Sequence, residues 1–141
     1  MTRRTAKAIW AALLATPVLF FAVSAAVSRD AYAPRLAEPI FWLAVAVTAA
    51  NVALSRVLPP RLGPGRAADR EAVAFTRVLV GLALCDAAAL APLVAYMVTR
   101  DPRLLAVLAV AVVALALLYP SDPRWQRLMP AEAGPAPRRI R

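Results

Sequence analysis

Asp86 is the residue whose position promises chemistry: it is the only charged side chain in the run 78–99, 22 residues otherwise free of Asp, Glu, Lys and Arg. Near the centre of a spanning helix an ionisable group costs about 2.5–3.5 kcal/mol on insertion scales, which makes it a functional-site candidate by default. Leu79, Val80, Leu82, Leu84, Leu90, Leu93 and Val94 offset that cost by roughly a few tenths of a kcal/mol each. Two uses are open to such a carboxyl. Low-dielectric surroundings disfavour its ionised form, which suits proton binding. A hydrogen bond to another helix would make it interhelical glue worth about 0.6–2 kcal/mol.

Depth picks out its expected partners. At helical rise, Asp86 lies roughly 4 Å to one side of the midpoint of its run. Asn51 and Thr16 lie roughly 6 Å and 2 Å to the same side of theirs. The expectation is a shared polar layer in which Asn51 and Thr16 support Asp86. Around it, Gly81, Cys85 and Ala89 make a small-xxx-small ridge that admits a close helix, and Ala44, Ala46, Thr48, Ala50, Ala53 and Ser55 are likewise small. Pro92 cannot donate to the Ala88 carbonyl, which leaves an acceptor one turn away that a protonated Asp86 would use.

Other chemistries are excluded by composition. The chain has no histidine and one cysteine, so imidazole catalysis, a His or Cys zinc site and an intramolecular disulfide are absent. Cys85 is expected to be an inert packing residue, because an apolar setting keeps a thiol protonated. Intramembrane hydrolysis would need a nucleophile with a base, a metal or a second aspartate. Gly63-Pro64-Gly65 sets a proline where a phosphate loop needs backbone donors. No enzyme, metal or cofactor is expected.

The elements that position Asp86 follow from length and hydropathy. With 62% hydrophobic residues in 141, against about 45–50% in soluble domains, the chain is not an ordinary soluble domain. A bilayer core of about 30 Å needs about 20 apolar residues at 1.5 Å each. The runs 8–27, 39–55, 78–99 and 104–121 approach or meet that length, and their apolar residues fill every face of a helix. Arg56 can snorkel while Val57 and Leu58 extend the second run. The expected fold is an all-α integral membrane protein of four antiparallel transmembrane helices, about 8–27, 39–58, 71–99 and 103–120. Pro17 and Pro92 are kinks of the kind spanning helices tolerate. Pro59-Pro60 and Gly63-Pro64-Gly65 break the helix, and the third helix starts near Asp69.

The charge of +9 then sets orientation. With the N-terminus inside, thirteen Lys and Arg fall on the inner side and four, Arg29, Arg35, Arg100 and Arg103, on the outer. Both termini are expected to be cytoplasmic in a bacterial inner membrane. Trp10, Trp42, Tyr96, Tyr119 and Trp125 fall near the interfaces. A secretory signal is the alternative for the first segment, with Ala31-Tyr32-Ala33 as its cleavage site, and Arg3-Arg4 also fits a twin-arginine start. The apolar run exceeds the usual 7–15 residues of a signal, which favours a span. Residues 1–120 form the transmembrane domain. Residues 121–141 form a cytoplasmic part: a short amphipathic helix from Ser121-Asp122-Pro123 to about Met129, with Trp125, Leu128 and Met129 laid on the membrane, then a disordered basic tail. The arginines serve topology and anionic headgroups. They are split among three short segments without a nucleic-acid reader, so no nucleic-acid partner is expected.

One resemblance bears on Asp86. The stretch Arg66-Ala-Ala-Asp-Arg-Glu-Ala, then Val80-Gly-Leu-Ala-Leu-Cys-Asp86-Ala-Ala-Ala-Leu and Leu93-Val94, resembles the polar loop and C-terminal helix of rotary ATP synthase subunit c. The resemblance implies that Asp86 carries a translocated ion. Ala87 supplies no hydroxyl for sodium, so a proton is the expected cargo. The chain departs from that family in having no glycine in 39–55, extra helices at both ends and no internal repeat. The sequence thus yields two functional expectations. The first is a non-enzymatic structural or accessory subunit of a membrane assembly, partnered by another membrane protein or a second copy. The alternative is a proton-translocating component with Asp86 as carrier.

Overall fold

The computed structural model describes residues 3–27, 34–63 and 70–129. The candidate cleavage site at 31–33, the helix start near Asp69 and the expected disordered tail lie outside the described residues. Five helices follow in order: α1 (Arg3–Val27), α2 (Ala37–Arg61), α3 (Arg70–Thr99), α4 (Arg103–Ala116) and α5 (Asp122–Leu128), with a single 3-10 turn, Pro34–Leu36, leading into α2. The described residues contain no strand.

Three of these helices, α1, α2 and α3, are long and apolar enough to cross a membrane. Their outer surfaces are apolar too: Val18, Leu19 and Val23 on α1, and Trp42, Leu43 and Leu54 on α2, are exposed. In water such a surface would favour association, whereas in lipid it is the appropriate finish. α3 is the hub. Half of its apolar window is buried inside the protein, against 11% for α1 and 17% for α2, so the other helices pack on α3 and turn their remaining faces outward. α2 packs on α3 most extensively, followed by α4 and then α1, while α1 and α2 have no substantial contact.

The α2–α3 seam is built on small residues. A Cβ placed on Gly81 would meet Pro59 Cγ at 3.4 Å and the Ser55 carbonyl oxygen at 3.5 Å. There is room for little more than a methyl group. Pro59 and Pro60, expected to end α2, instead lie inside it, and the helix runs on to Arg61. Proline's fixed φ is itself helical, and a proline forfeits the bond to the carbonyl four residues back. The Ser55 carbonyl that Pro59 leaves unbonded is the one standing over Gly81, and Pro59 is buried there.

α4 is shorter than expected. Its 14 residues span about 21 Å, against the roughly 20 residues and 30 Å of a full crossing, and it ends at Ala116 instead of 120. The cause is local. Leu118 N–H bonds the Leu115 carbonyl at 3.0 Å and Tyr119 N–H the Ala116 carbonyl at 3.1 Å, so the last turn tightens. Pro120 then pushes the residue before it out of the helical region.

α5 turns the apolar side chains expected to be laid on the membrane into the bundle instead. Trp125 and Leu128 are 6% and 8% exposed and join the core cluster of Ala6, Phe75, Val78, Leu115 and Leu118, with Met129 packed against it. Seven residues offer too small an apolar stripe to hold an interface alone. Closing the end of the bundle buries the same stripe against side chains already fixed in place.

Candidate functional site

Asp86 sits on an edge of α3. One helical turn or two away on its packed side lie Leu82 and Leu93, both fully buried; on its other side Ala83, Ala87 and Val94 are exposed. Asp86 itself is half-buried, and its Oδ1 is buried without a hydrogen-bond partner. The flanking clusters offer it no free donor, since the Trp10 Nε1–H already donates to the Leu115 carbonyl at 3.1 Å. Leu82 and Leu79 pack with Ile9, Trp10, Leu13 and Leu14, and Leu93 and Leu90 pack with Phe21 and Leu108.

The expected polar layer does not assemble. Thr16 is exposed on α1, and its hydroxyl donates to the Ala12 carbonyl of its own helix at 3.0 Å. Asn51 Nδ2 donates to the Val47 carbonyl of α2 at 2.9 Å. Both satisfy themselves one turn back, which is the nearest acceptor available to a short polar side chain in a helix. α1 and α2 also flank α3 without substantial contact with each other, so equal depth does not bring their side chains together.

The acceptor freed by Pro92 is used, but by another residue. Thr48 Oγ1 on α2 donates to the Ala88 carbonyl of α3 at 3.0 Å, and Thr48 is buried. A second link lies on the same seam: Cys85 Sγ donates to Ser55 Oγ at 3.2 Å, and Ser55 Oγ donates to the Val52 carbonyl at 2.7 Å. Gly81, Cys85, Ala89 and Pro92 are all buried, so the ridge of small residues is a packing surface. A double-mutant cycle checks the Thr48 assignment. Thr48→Val should cost about 1 kcal/mol of stability, and Pro92→Ala should cancel most of that cost, because an alanine at that position would donate its own N–H to the Ala88 carbonyl. Additive effects of the two substitutions in reversible unfolding would exclude the shared carbonyl.

Two arginine clusters lock the ends of the bundle. At one end Asp101 binds Arg103 through both carboxylate oxygens, 2.9 Å and 3.1 Å to Nε and 2.7 Å to Nη2, and Asp101 Oδ1 also accepts the Arg103 N–H at 2.9 Å. Arg103 Nη2 reaches Glu38 of α2 at 2.8 Å, and its guanidinium lies 4.5 Å from the Phe41 ring centroid. The α3–α4 turn is thereby pinned to the start of α2. At the other end Arg77 Nε and Nη2 donate to the Leu62 carbonyl at 3.0 Å and 2.7 Å, and Nη1 donates to the Leu128 carbonyl at 2.7 Å. Leu62 caps α2 and Leu128 ends α5, so one guanidinium sits at the negative ends of two helices. In the sequence Arg77 and Arg103 stand out only as topology charges. The acceptors of Arg77 lie 15 and 51 residues away and Glu38 lies 65 residues from Arg103; only the Asp101–Arg103 pair, two residues apart, is local.

The Asp101 carboxyl is held below its ordinary range by the hydrogen bonds and charge of Arg103. A lowered folded-state value means that the stabilisation is complete above the unfolded carboxyl's pKa and fades as pH falls through the folded one. The advantage of the natural protein over Asp101→Asn in thermal unfolding is therefore expected to shrink only below about pH 3.9. A constant advantage down to about pH 2 would exclude a stabilising role for the ion pair.

Among the described residues no group of acids and cysteine is placed to hold a metal ion. Comparison with family models, curated proteins and solved structures returned no match.

Proposed function

We propose that this chain is a small multi-pass protein of a bacterial inner membrane, with four spans and both termini cytoplasmic, serving as a non-enzymatic accessory subunit of a membrane assembly. In this reading α4 and its tightened last turn make the fourth crossing. The Arg77 end, which gathers most of the basic residues, faces the cytoplasm. One observation carries the proposal: the Asp86 carboxyl has a buried oxygen with no partner, while Thr16, Thr48 and Asn51 are satisfied elsewhere. A buried polar group left unpaired costs about 1–3 kcal/mol. The half-buried side chain stands beside the exposed strip of Ala83, Ala87 and Val94, the two alanines let a neighbouring membrane helix come close, and a turn of the carboxyl toward that helix pairs the oxygen. Asp86, as the uncharged acid, is the hydrogen-bonding anchor for that helix.

A second reading is favoured by the α2–α3 pair. These consecutive helices pack on each other most extensively in the bundle, with an unpaired carboxyl midway along the second helix, as the resemblance to ATP synthase subunit c implies. There Asp86 carries a translocated proton. Two substitutions separate the readings. Asparagine keeps a donor but cannot carry a proton; leucine does neither. Assembly size on native gels that survives Asp86→Asn and is lost in Asp86→Leu supports the anchor. Assembly intact in both, with proton conductance lost in both, supports the carrier.

A further inference from the structure

Between α2 and α4 runs an open groove of about 500 Å³, lined by Val45, Thr48, Ala49, Val52 and Ala53 on one side and Val107 and Val110 on the other, with Arg56 at its end; the Thr48 hydroxyl is spent on the Ala88 carbonyl. Its wall from Val45 to Arg56 is eleven steps of helical rise, or about 16 Å. Half of a bilayer core is about 15 Å. The groove thus has the length of one leaflet's acyl chain and an apolar lining along that length. Arg56 is exposed, and no hydrogen bond or ion pair of its guanidinium occurs among the described residues.

A second cation stands by it. Arg124 of α5 is half-buried and donates through Nη1 to the Leu117 carbonyl at 3.0 Å, where α4 ends. Burial, and after it the nearby Arg56 guanidinium, push the pKa of Arg124 down, and no carboxylate contributes to the shift. The acid on α5, Asp122, is paired with Arg3 of α1. Arg56 at the end of the groove and Arg124 at the end of α4, neither paired with a carboxylate among the described residues, are complementary to a phosphate.

We infer that the α2–α4 groove binds one anionic glycerophospholipid, an acyl chain lying along Val45–Ala53 and Val107–Val110 and the phosphate held between Arg56 and Arg124. A zwitterionic lipid fits the same apolar wall, but its ammonium faces two arginines, so selectivity resides in the headgroup. The site rests on the four-span reading only in that α4 lies beside α2 at lipid depth.

The test is native mass spectrometry of the full chain in detergent, titrated with phosphatidylglycerol or phosphatidylcholine of matched chains. One phosphatidylglycerol should be retained at least about tenfold better than phosphatidylcholine, which corresponds to about 1.4 kcal/mol. Arg56→Gln and Arg124→Gln should each erase that preference, and the double variant should lose no more than either single one, because both contact one phosphate. Ala53→Trp, which fills the groove without touching a charge, should lower retention of both lipids. Equal retention of the two lipids, a preference indifferent to Arg56→Gln, or retention unchanged by Ala53→Trp would each overturn the site. Arg56→Lys, which keeps the charge, serves if Arg56→Gln fails to stay monodisperse, and its preference should fall only in part. Failure of the four-span reading is detected separately: Val110→Cys would then react with a membrane-impermeant, water-soluble thiol reagent.

Discussion

Arg77→Ala is expected to free α5 from the bundle. The substitution removes three charge-assisted hydrogen bonds at once and strands the Leu62 and Leu128 carbonyls at the ends of two helices. A hydrogen bond to a charged group contributes about 1.5–3 kcal/mol, and water reaching the freed carbonyls returns part of that. A net loss of about 2–3 kcal/mol, a factor of about 30–150 in the opening equilibrium, is the expected size. Opening of α5 should lay bare Trp125 and Leu128, which the core otherwise covers. Trypsin cleavage after Arg124 and Arg127 in reconstituted protein reports that opening when cleavage is slow compared with reclosing. Arg77→Lys keeps the charge without the planar fork and should recover less than half of the protection. Cleavage rates equal to those of the natural protein would show that α5 is held by its apolar side chains alone.

Asp86→Leu is expected to make the isolated protein more stable and the assembly weaker. The buried Oδ1 has no partner, so nothing in the protein's own fold is lost with the carboxyl. Leucine matches the Leu79, Leu82, Leu90 and Leu93 stripe on either side, where apolar contacts continue. Replacing an unpaired buried polar group by an apolar one of similar size should therefore raise unfolding stability in detergent by about 1–3 kcal/mol. Asp86→Asn, which retains an unpaired polar group, should stay close to the natural protein. A fall in stability for Asp86→Leu would mean that the carboxyl binds within the chain. A rise with assembly lost separates a residue kept for a partner from one kept for folding.

The long apolar helices are legible in the sequence because their signal is one-dimensional: an apolar run of the right length is read wherever its neighbours lie, and α1, α2 and α3 follow those runs. Helix ends are less legible where tertiary packing overrides local rules. Pro59 is a stop signal by sequence, yet the helix passes through it because Gly81 on α3 makes room. α4 ends early because its final turn tightens before Pro120. The candidate site shows the same divide. The cost of its position marks Asp86, and the missing N–H of Pro92 marks the carbonyl it frees. Depth alone points to Asn51 and Thr16 as neighbours, and depth carries no information on which way a side chain turns around its helix. Thr48, not Asp86, takes the Ala88 carbonyl because it stands on the face of α2 that meets α3. A helical wheel that places Thr48 beside Ala44 and Ser55, all three buried on α2, points to it. Arg77 lies beyond such reasoning, since its acceptors are backbone carbonyls at helix ends fixed only by the folded chain.

Both roles proposed for Asp86 require that its carboxyl be uncharged and unengaged at lipid depth. Incubating the purified, reconstituted protein with a hydrophobic carbodiimide across a pH series, and mapping the adduct by mass spectrometry, measures this directly. The expected result is modification of Asp86 alone, fading as pH rises and absent in Asp86→Asn. No modification of Asp86 at any pH would contradict both roles.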